Sequence, residues 1–219
     1  MNSIYIKICD NVNVFLINMQ KIDKKSRILF VLLDELIVTA NFRTAFENAA
    51  KKLKIKSEEK ERLLNNNFPK GYESLNKELN SLINSMMDKS KKPNNFKKLR
   101  LNEKIKYFVT KRLQLTDEIL DLKKLAKINL KFKSPKNSLK ILFNISDEIW
   151  FLAGDKSLDF NFYSKRFILM NIYLNSFLYL ISQKHTDFNS LENFVEKQIK
   201  AVLTFGKLKS KFKSLVDLK

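Results

Sequence analysis

The chain contains very few of the residues on which most catalytic and metal sites depend. Its 219 residues include one cysteine, Cys9, and one histidine, His185. A single cysteine excludes an intrachain disulfide and a cysteine-rich zinc site, and the absence of a Glu-x-x-His pair disfavours a di-iron helical bundle. The three glycines, Gly71, Gly154 and Gly206, are too far apart to build a phosphate-binding loop. We therefore do not expect this chain to be an enzyme.

Glycine and proline occur only three times each, which disfavours folds built from short strands and many turns. Hydrophobic residues make up 44% of the chain and recur at helical spacing, so we predict an all-α fold with a sizeable core. The formal net charge of +19 suits nucleic acid or an anionic membrane surface. An AT-rich genome explains this charge equally well, because Lys, Asn and Ile are abundant throughout and the charges are spread out.

The first residues do not resemble a targeting signal. Lys7 is the only basic residue before the first apolar run, Asp10 interrupts that run, and no arginine precedes Arg27. We expect residues 1–25 to be an extension, with Met19 as an alternative start. The expected setting is the bacterial cytoplasm, on the inner face of the cytoplasmic membrane. The alternative is the matrix side of the mitochondrial inner membrane.

The apolar pattern divides the rest of the chain into a head and a body. Three short helical patterns and a longer one fill residues 26–92, which predicts a helix-turn-helix head. The polar, basic segment DKSKKPNNFKKLR at residues 88–100 contains the expected boundary. Residues 93–205 are predicted to form a helical body.

Residues 167–183 form the longest uncharged segment, which is marginal in length for a membrane span and carries several polar side chains. We predict a central helix instead. Its apolar positions from Tyr163 to Ile181 follow steps of four and three, which indicates a seam against another helix. The opposite face is apolar too, so protein, a partner subunit or an apolar ligand is expected to surround this helix.

The last segment, residues 206–219, combines lysines with regularly spaced apolar residues. We predict that Gly206 separates a short amphipathic helix, and that this helix docks on a membrane surface. The alternative is an ordinary tail helix packed on the body, or a frayed end. The predicted docking residues are Lys207, Leu208, Lys211, Phe212 and Leu215.

The rare residues concentrate in the segment SDEIWFLAGDKSLDFNFYSKR at residues 146–166, which holds the only tryptophan. Here Ser146 is expected to cap a helix that Gly154 ends in the left-handed conformation. The spacing of this segment closely resembles the coenzyme Q biosynthesis protein nine family, in which a tryptophan stands at the position of Phe162. A weaker resemblance extends from about Arg27 to Phe205. The matching residues are Asp147, Trp150, Ala153, Gly154, Asp155, Asp159, Phe160, Asn161, Tyr163, Lys165 and Arg166.

The resemblance implies a TetR-like homodimer that is not an enzyme and has no cofactor other than a bound isoprenoid lipid or quinone. It further implies that ubiquinone precursors are presented to the di-iron hydroxylase of that pathway. We expect an apolar cavity in the body and a partner-facing surface at the Gly154 turn. The expected lipid-binding residues are Phe108, Leu122, Phe143, Trp150, Met170, Tyr173 and Phe177. The expected partner-binding residues are Ile149, Leu152, Asp159, Phe162 and Tyr163.

Three alternatives stay open at this point. Each aromatic residue can serve simply as core packing. A TetR-type DNA-binding regulator with an apolar ligand fits the head and the charge, but Glu58, Glu59 and Glu61 would repel the DNA backbone from the third helix. An enzyme would have to use carboxylates near the apolar helix, for which positions at helix starts are a sufficient structural explanation. Those carboxylates are Asp147, Glu148, Asp155 and Asp159.

Overall fold

The computed structural model describes residues 24–132, 135–155 and 161–216, without the side chains of 24, 25, 161 and 206–216. Over these ranges the chain forms nine α-helices, one short 3₁₀ helix at Phe96–Lys98, and no strand, which confirms the all-α class. The α-helices are α1 Lys24–Val38, α2 Phe42–Lys52, α3 Ser57–Asn67, α4 Tyr72–Lys89, α5 Leu101–Ile119, α6 Leu122–Lys131, α7 Pro135–Ala153, α8 Asn161–Ser182 and α9 Phe188–Val216.

The chain divides into two compact units, the first ending at Glu78 and the second beginning at Leu79. This division falls inside α4. The polar segment at residues 88–100, where the sequence predicts a boundary, lies further along the chain and contains the end of α4 and the 3₁₀ helix.

In the first unit α1 packs on α2, and α2 packs on α3. Ile28, Leu32 and Leu36, which are spaced by four residues on one face of α1, are fully buried. On α2, Phe46 and Ala49 are buried as well. Each large apolar side chain removed from water in this way contributes about 1.5 to 3 kcal/mol. Apolar burial at helical spacing therefore holds the first unit together.

The turn between α2 and α3 lacks glycine and uses Lys54 instead. Lys54 has a φ of 53°, which is left-handed. The Ile55 amide donates to the Ala50 carbonyl at 2.9 Å, and the Lys54 amide donates to the Lys51 carbonyl at 3.1 Å. These two bonds form a Schellman motif, which closes α2. Ser57 is the first residue of α3, and Lys56 holds the N-cap position without a side-chain hydrogen bond.

In the second unit α5 packs on α7 and α9, while α8 packs on α6, α7 and α9. The helix predicted to start at Ser146 already begins at Pro135, and Ser146 is fully buried inside it. The buried face of α7 includes Ile145 and Ile149, so the helix continues through residue 146. Ser146 therefore lies within the helix and not at its start. The predicted break at Gly206 is wrong too, because α9 runs through it.

Asp121 ends the connection between α5 and α6. Its carboxylate accepts from the Lys123 amide at 2.7 Å and from the Lys124 amide at 3.1 Å, as an N-cap does.

Among the helices the structure describes, none combines the length and the apolar character that a bilayer crossing requires.

One glutamate joins α5 to α9. Glu196 accepts from Lys106 at 3.1 Å and from Lys200 at 2.6 Å, and these two ammonium groups, Lys200 first, lower the pKa of Glu196 to about 2. The folded pKa lies below the unfolded value of about 4.3, so the stabilisation is present above that value and is lost as the pH falls toward about 2.

We therefore expect the melting temperature of Glu196→Gln to fall less than that of the unmodified chain when the pH is lowered from about 5 to about 2. Circular dichroism melting curves across this range measure the effect. The matched control is Glu192→Gln, an exposed glutamate on the same helix. Parallel pH profiles for the Glu196 variant and the unmodified chain would show that the Lys106–Glu196–Lys200 contact does not couple to folding.

Candidate functional site

The turn after α7 is built on Gly154. Gly154 has a φ of 91°, and its amide donates to the Phe151 carbonyl at 3.0 Å. The Asp155 amide donates to the Trp150 carbonyl at 3.0 Å, which completes a Schellman motif. A Cβ on Gly154 would meet no atom within 4 Å, so the left-handed conformation alone favours glycine here. The predicted left-handed end of this helix is confirmed.

Arg166 of α8 bonds to groups on both sides of this turn. Its Nε donates to Asp147 Oδ1 at 2.6 Å, and its Nη1 lies 3.7 Å from Asp155 Oδ2. Nη1 also donates to the Phe162 carbonyl at 3.2 Å. The side chains of Arg166 and Asp155 are almost completely buried, so these contacts act in a weakly screened environment.

Two aromatic rings complete the arrangement. The guanidinium carbon of Arg166 lies 3.2 Å from the Phe162 ring centroid, and Lys165 Nζ lies 5.5 Å from that of Trp150. Lys165 Nζ also pairs with Asp155 Oδ1 at 2.9 Å. A phenyl face attracts a cation as an indole face does, so Phe162 retains this contact although the resembled family has tryptophan there.

We call these residues the Arg166 cluster: Asp147, Trp150, Asp155, Phe162, Lys165 and Arg166. Every member except Phe162 belongs to the motif that carries the family resemblance, and Phe162 occupies a position of the same motif. The motif therefore fixes the joint between α7 and α8. Asp147 and Asp155, two of the four carboxylates considered for acid–base catalysis, are both bound to cations in this joint.

The residues predicted to bind lipid lie on α5 to α8 of the second unit. Four of them are buried, namely Phe108, Leu122, Met170 and Tyr173. The other three, Phe143, Trp150 and Phe177, are partly exposed. The Phe108 ring lies edge-to-face with Phe96 at 5.4 Å and Tyr107 at 5.2 Å. This contact is core packing, and lipid binding by the seven residues stays a prediction.

Trp150 has one unsatisfied polar atom. Its indole Nε1 is buried and has no hydrogen-bond partner among the residues that the structure describes. A buried donor without an acceptor costs about 1 to 3 kcal/mol. Trp150 is therefore the residue of the predicted lipid site that has a donor available for a ligand oxygen.

The residues predicted to face a partner separate into three groups. Ile149 is fully buried in α7, and its role in a partner-facing surface stays a prediction. Leu152 and Phe162 are partly exposed, and Tyr163 is 69% exposed. Asp159 lies outside the described residues.

The outer face of α8 carries an exposed apolar stripe. Tyr163, Phe167, Leu174 and Leu178 are 69%, 63%, 38% and 48% exposed. Their spacing of four, seven and four places them on one side of the helix, and we call them the α8 stripe. Three of these residues belong to the predicted seam. The face that packs on the rest of the unit is formed by Leu169, Met170, Ile172, Tyr173 and Leu180, of which Met170 also belongs to the predicted seam.

A buried arginine of α5 is not among the residues predicted from the sequence. Arg112 of α5 is 1% exposed and donates to the side-chain oxygens of Asn84 and, at 2.7 Å, Asn80. Its charge also interacts with the Tyr173 side chain. Burial lowers the pKa of Arg112 and raises that of Tyr173. The signal in the sequence is that Arg112 follows Phe108 by four residues, on the apolar face of α5.

The tail predicted to dock on membranes has a helical backbone up to Val216. Its side chains, including those of the five predicted docking residues, lie outside the described part. Within the described residues no three His, Cys, Asp or Glu side chains gather in a way that would hold a metal ion.

A family model described as COQ9 matches residues 136–206. The mitochondrial ubiquinone biosynthesis protein COQ9 of Bos taurus is 34% identical over 77 residues, which cover 35% of this chain and 24% of that protein. COQ9-A of Xenopus laevis is 36% identical over 75 residues, covering 33% and 24%, and human COQ9 is 32% identical over 78 residues, covering 36% and 24%. The aligned part thus spans about a quarter of the length of these relatives.

The matched residues include nearly all of α7, the whole Arg166 cluster and the α8 stripe. The resemblance inferred from the motif and the match of the family model therefore fall on the same structural joint. Residues 136–206 of this chain are therefore similar to the COQ9 family.

Proposed function

We propose that this protein is a non-catalytic accessory protein of ubiquinone biosynthesis. It binds an isoprenoid quinone precursor and presents it at a membrane to the di-iron hydroxylase of the pathway. The relatives are named for ubiquinone biosynthesis, which supports the pathway. The observation that carries the proposal is that the family segment leaves the α8 stripe uncovered while its other face packs into the second unit.

The lipid part of the proposal rests on Trp150. Its buried indole N–H needs an acceptor, and a quinone or phenol oxygen is one. The polyprenyl chain would then contact the apolar residues predicted for it, among them Met170 and Phe177. Binding and positioning of this kind require no acid, base or resident cofactor from the protein.

The partner part rests on the stripe. Exposed aromatic and aliphatic side chains in a continuous row are typical of protein interaction sites. Tyr163 and Phe167 begin the row directly beside the Arg166 cluster, which holds this end of α8 against α7. We assign the hydroxylase to this surface. A TetR-like homodimer belongs to the proposal as well, on the family resemblance alone.

The cellular setting follows the relatives. They are named as mitochondrial proteins, which favours the matrix side of the inner membrane over the bacterial membrane. Docking through Lys207, Leu208, Lys211, Phe212 and Leu215 remains part of the proposal. The DNA-binding alternative is not favoured, because α3 has Glu58 and Glu59 in its first turn and the family match lies outside the first unit.

The test is mass spectrometry of lipids extracted from the purified full-length chain. We expect isoprenoid quinones or their precursors to be present. Trp150→Phe keeps the ring and removes the N–H, so it should lower their occupancy about three- to tenfold, as the loss of one hydrogen bond does. Tyr179→Phe, which removes a polar group from another partly exposed ring of the second unit, is the control. A chain free of lipid that also binds no added quinone would refute lipid carriage.

A further inference from the structure

An open basic pocket of about 460 Å³ lies where the loop after α4 meets one side of α5. Three of its lining residues are lysines and none is acidic. The loop and the helix both belong to the second unit. The lining residues are Lys91, Lys92, Pro93, Asn94, Tyr107, Lys111 and Gln114.

The loop side of the pocket is held in place by aromatic residues. The Tyr107 hydroxyl donates to the Lys91 carbonyl at 3.3 Å, which ties the loop to α5. Lys92 Nζ lies 5.5 Å from the Phe96 ring centroid and 5.8 Å from that of Phe108. These ring faces attract the ammonium group and favour its position at the pocket.

The side of the pocket formed by α5 consists of residues from one face of that helix. Tyr107, Lys111 and Gln114 are spaced by four and three residues, so they share one face of α5. Lys111 Nζ lies 3.5 Å from the Gln114 side-chain oxygen, at the limit of a hydrogen bond. The second ammonium group is thus directed along the same face that carries the loop contact.

The charges around the pocket are predominantly positive. Neither Lys91, Lys92 nor Lys111 forms an ion pair within the ranges that the structure describes. Lys104 Nζ adds a further cation, 5.7 Å from the Phe96 ring centroid. The Glu103 carboxylate accepts from the Arg100 amide at 2.7 Å, as part of the α5 start. Three unpaired ammonium groups in one concave site raise the local concentration of anions.

We propose that this pocket binds a phosphate or diphosphate group. Lysines act on phosphate as point charges, and the amide groups of Asn94 and Gln114 supply further donors to its oxygens. Three lysines that line one pocket match a group with more than one negative charge better than a single carboxylate. The proposal stands on the pocket alone and does not depend on the function proposed above. The group belongs either to a soluble phosphate ester or to a phospholipid headgroup.

Titration calorimetry of the full-length chain with inorganic pyrophosphate tests the site. The double variant Lys91→Gln/Lys111→Gln removes two ammonium groups and should weaken binding at least about tenfold. The control is Lys136→Gln/Lys197→Gln, which removes the same charge from exposed positions of the second unit. Circular dichroism melting curves verify that both variants fold.

Vesicles distinguish the two sources of the phosphate group. Flotation of the chain with phosphatidylcholine vesicles, with and without phosphatidic acid, is measured for the same variants. Pyrophosphate binding that only the pocket variant loses supports the site, with a soluble ester as ligand. Vesicle binding that only the pocket variant loses supports it, with a headgroup as ligand. Equal losses in both variants, or no binding in either arm, would overturn the proposal.

Discussion

Replacing Arg112 with alanine is expected to lower the free energy of unfolding by about 3 to 5 kcal/mol. Two effects add in this variant. The large side chain leaves a cavity in the second unit, because Arg112 is almost completely enclosed. The side-chain oxygens of Asn80 and Asn84 each lose a charged donor. Urea denaturation followed by circular dichroism measures the loss.

A second variant separates the cavity from the lost hydrogen bonds. Arg112→Met fills most of the volume but still leaves the Asn84 oxygen without its charged donor, so it should also be destabilising. Arg112→Met combined with Asn84→Leu removes that oxygen as well and should recover part of the stability, since a polar partner is no longer left buried alone. A loss below about 1 kcal/mol for Arg112→Ala would mean that the guanidinium is solvated in solution rather than enclosed.

The sequence predicts the fold class and the positions of most helices, because apolar residues at helical spacing and scarce glycine are local signals. The same is true of the left-handed turn at Gly154, which needs only one residue type at one place. The capping signal at Ser146 fails for a physical reason. A serine caps a helix only if the chain enters there, and the apolar face of α7 carries the helix back to Pro135.

The orientation of α8 was beyond local prediction. This helix is apolar almost all round, so its periodicity does not determine which face packs inward. Contacts with α6, α7 and α9 decide it, and they bury Leu169 and Tyr173 while leaving Phe167 in solvent. The seam prediction therefore holds only in part, because Met170 is buried whereas Tyr163, Phe167 and Leu174 are exposed.

The sequence identifies the motif at residues 146–166, but it does not predict the contacts that the side chains of the motif make. The sequence predicts Asp147 and Asp155 at helix starts, whereas Asp147 pairs with Arg166 and Asp155 pairs with Lys165. The pairing of Arg112 with Asn80 and Asn84 also joins distant parts of the chain. Such contacts depend on the packing of helices, which one sequence without relatives does not contain.

The largest functional effect is expected at the α8 stripe. The double variant Tyr163→Ala/Phe167→Ala should weaken binding to the purified di-iron hydroxylase about 100-fold, since two aromatic anchors at an interface contribute together about 2 to 4 kcal/mol. Both side chains are mostly exposed, so the folding of the chain should change little. Surface plasmon resonance with the immobilised hydroxylase measures the affinity, and lipid content is recorded for each preparation.

The control for this experiment is Leu130→Ala/Phe205→Ala, which removes two exposed apolar side chains from α6 and α9. It should leave the affinity within about twofold of that of the unmodified chain, as substitutions outside an interface do. Sedimentation velocity tests the alternative that a second copy of this chain, and not the hydroxylase, binds to the stripe. If the stripe variant turns a dimer into a monomer and still binds the hydroxylase with full affinity, the stripe is a surface between identical chains. The hydroxylase would then have to bind elsewhere, and its assignment to α8 would be wrong.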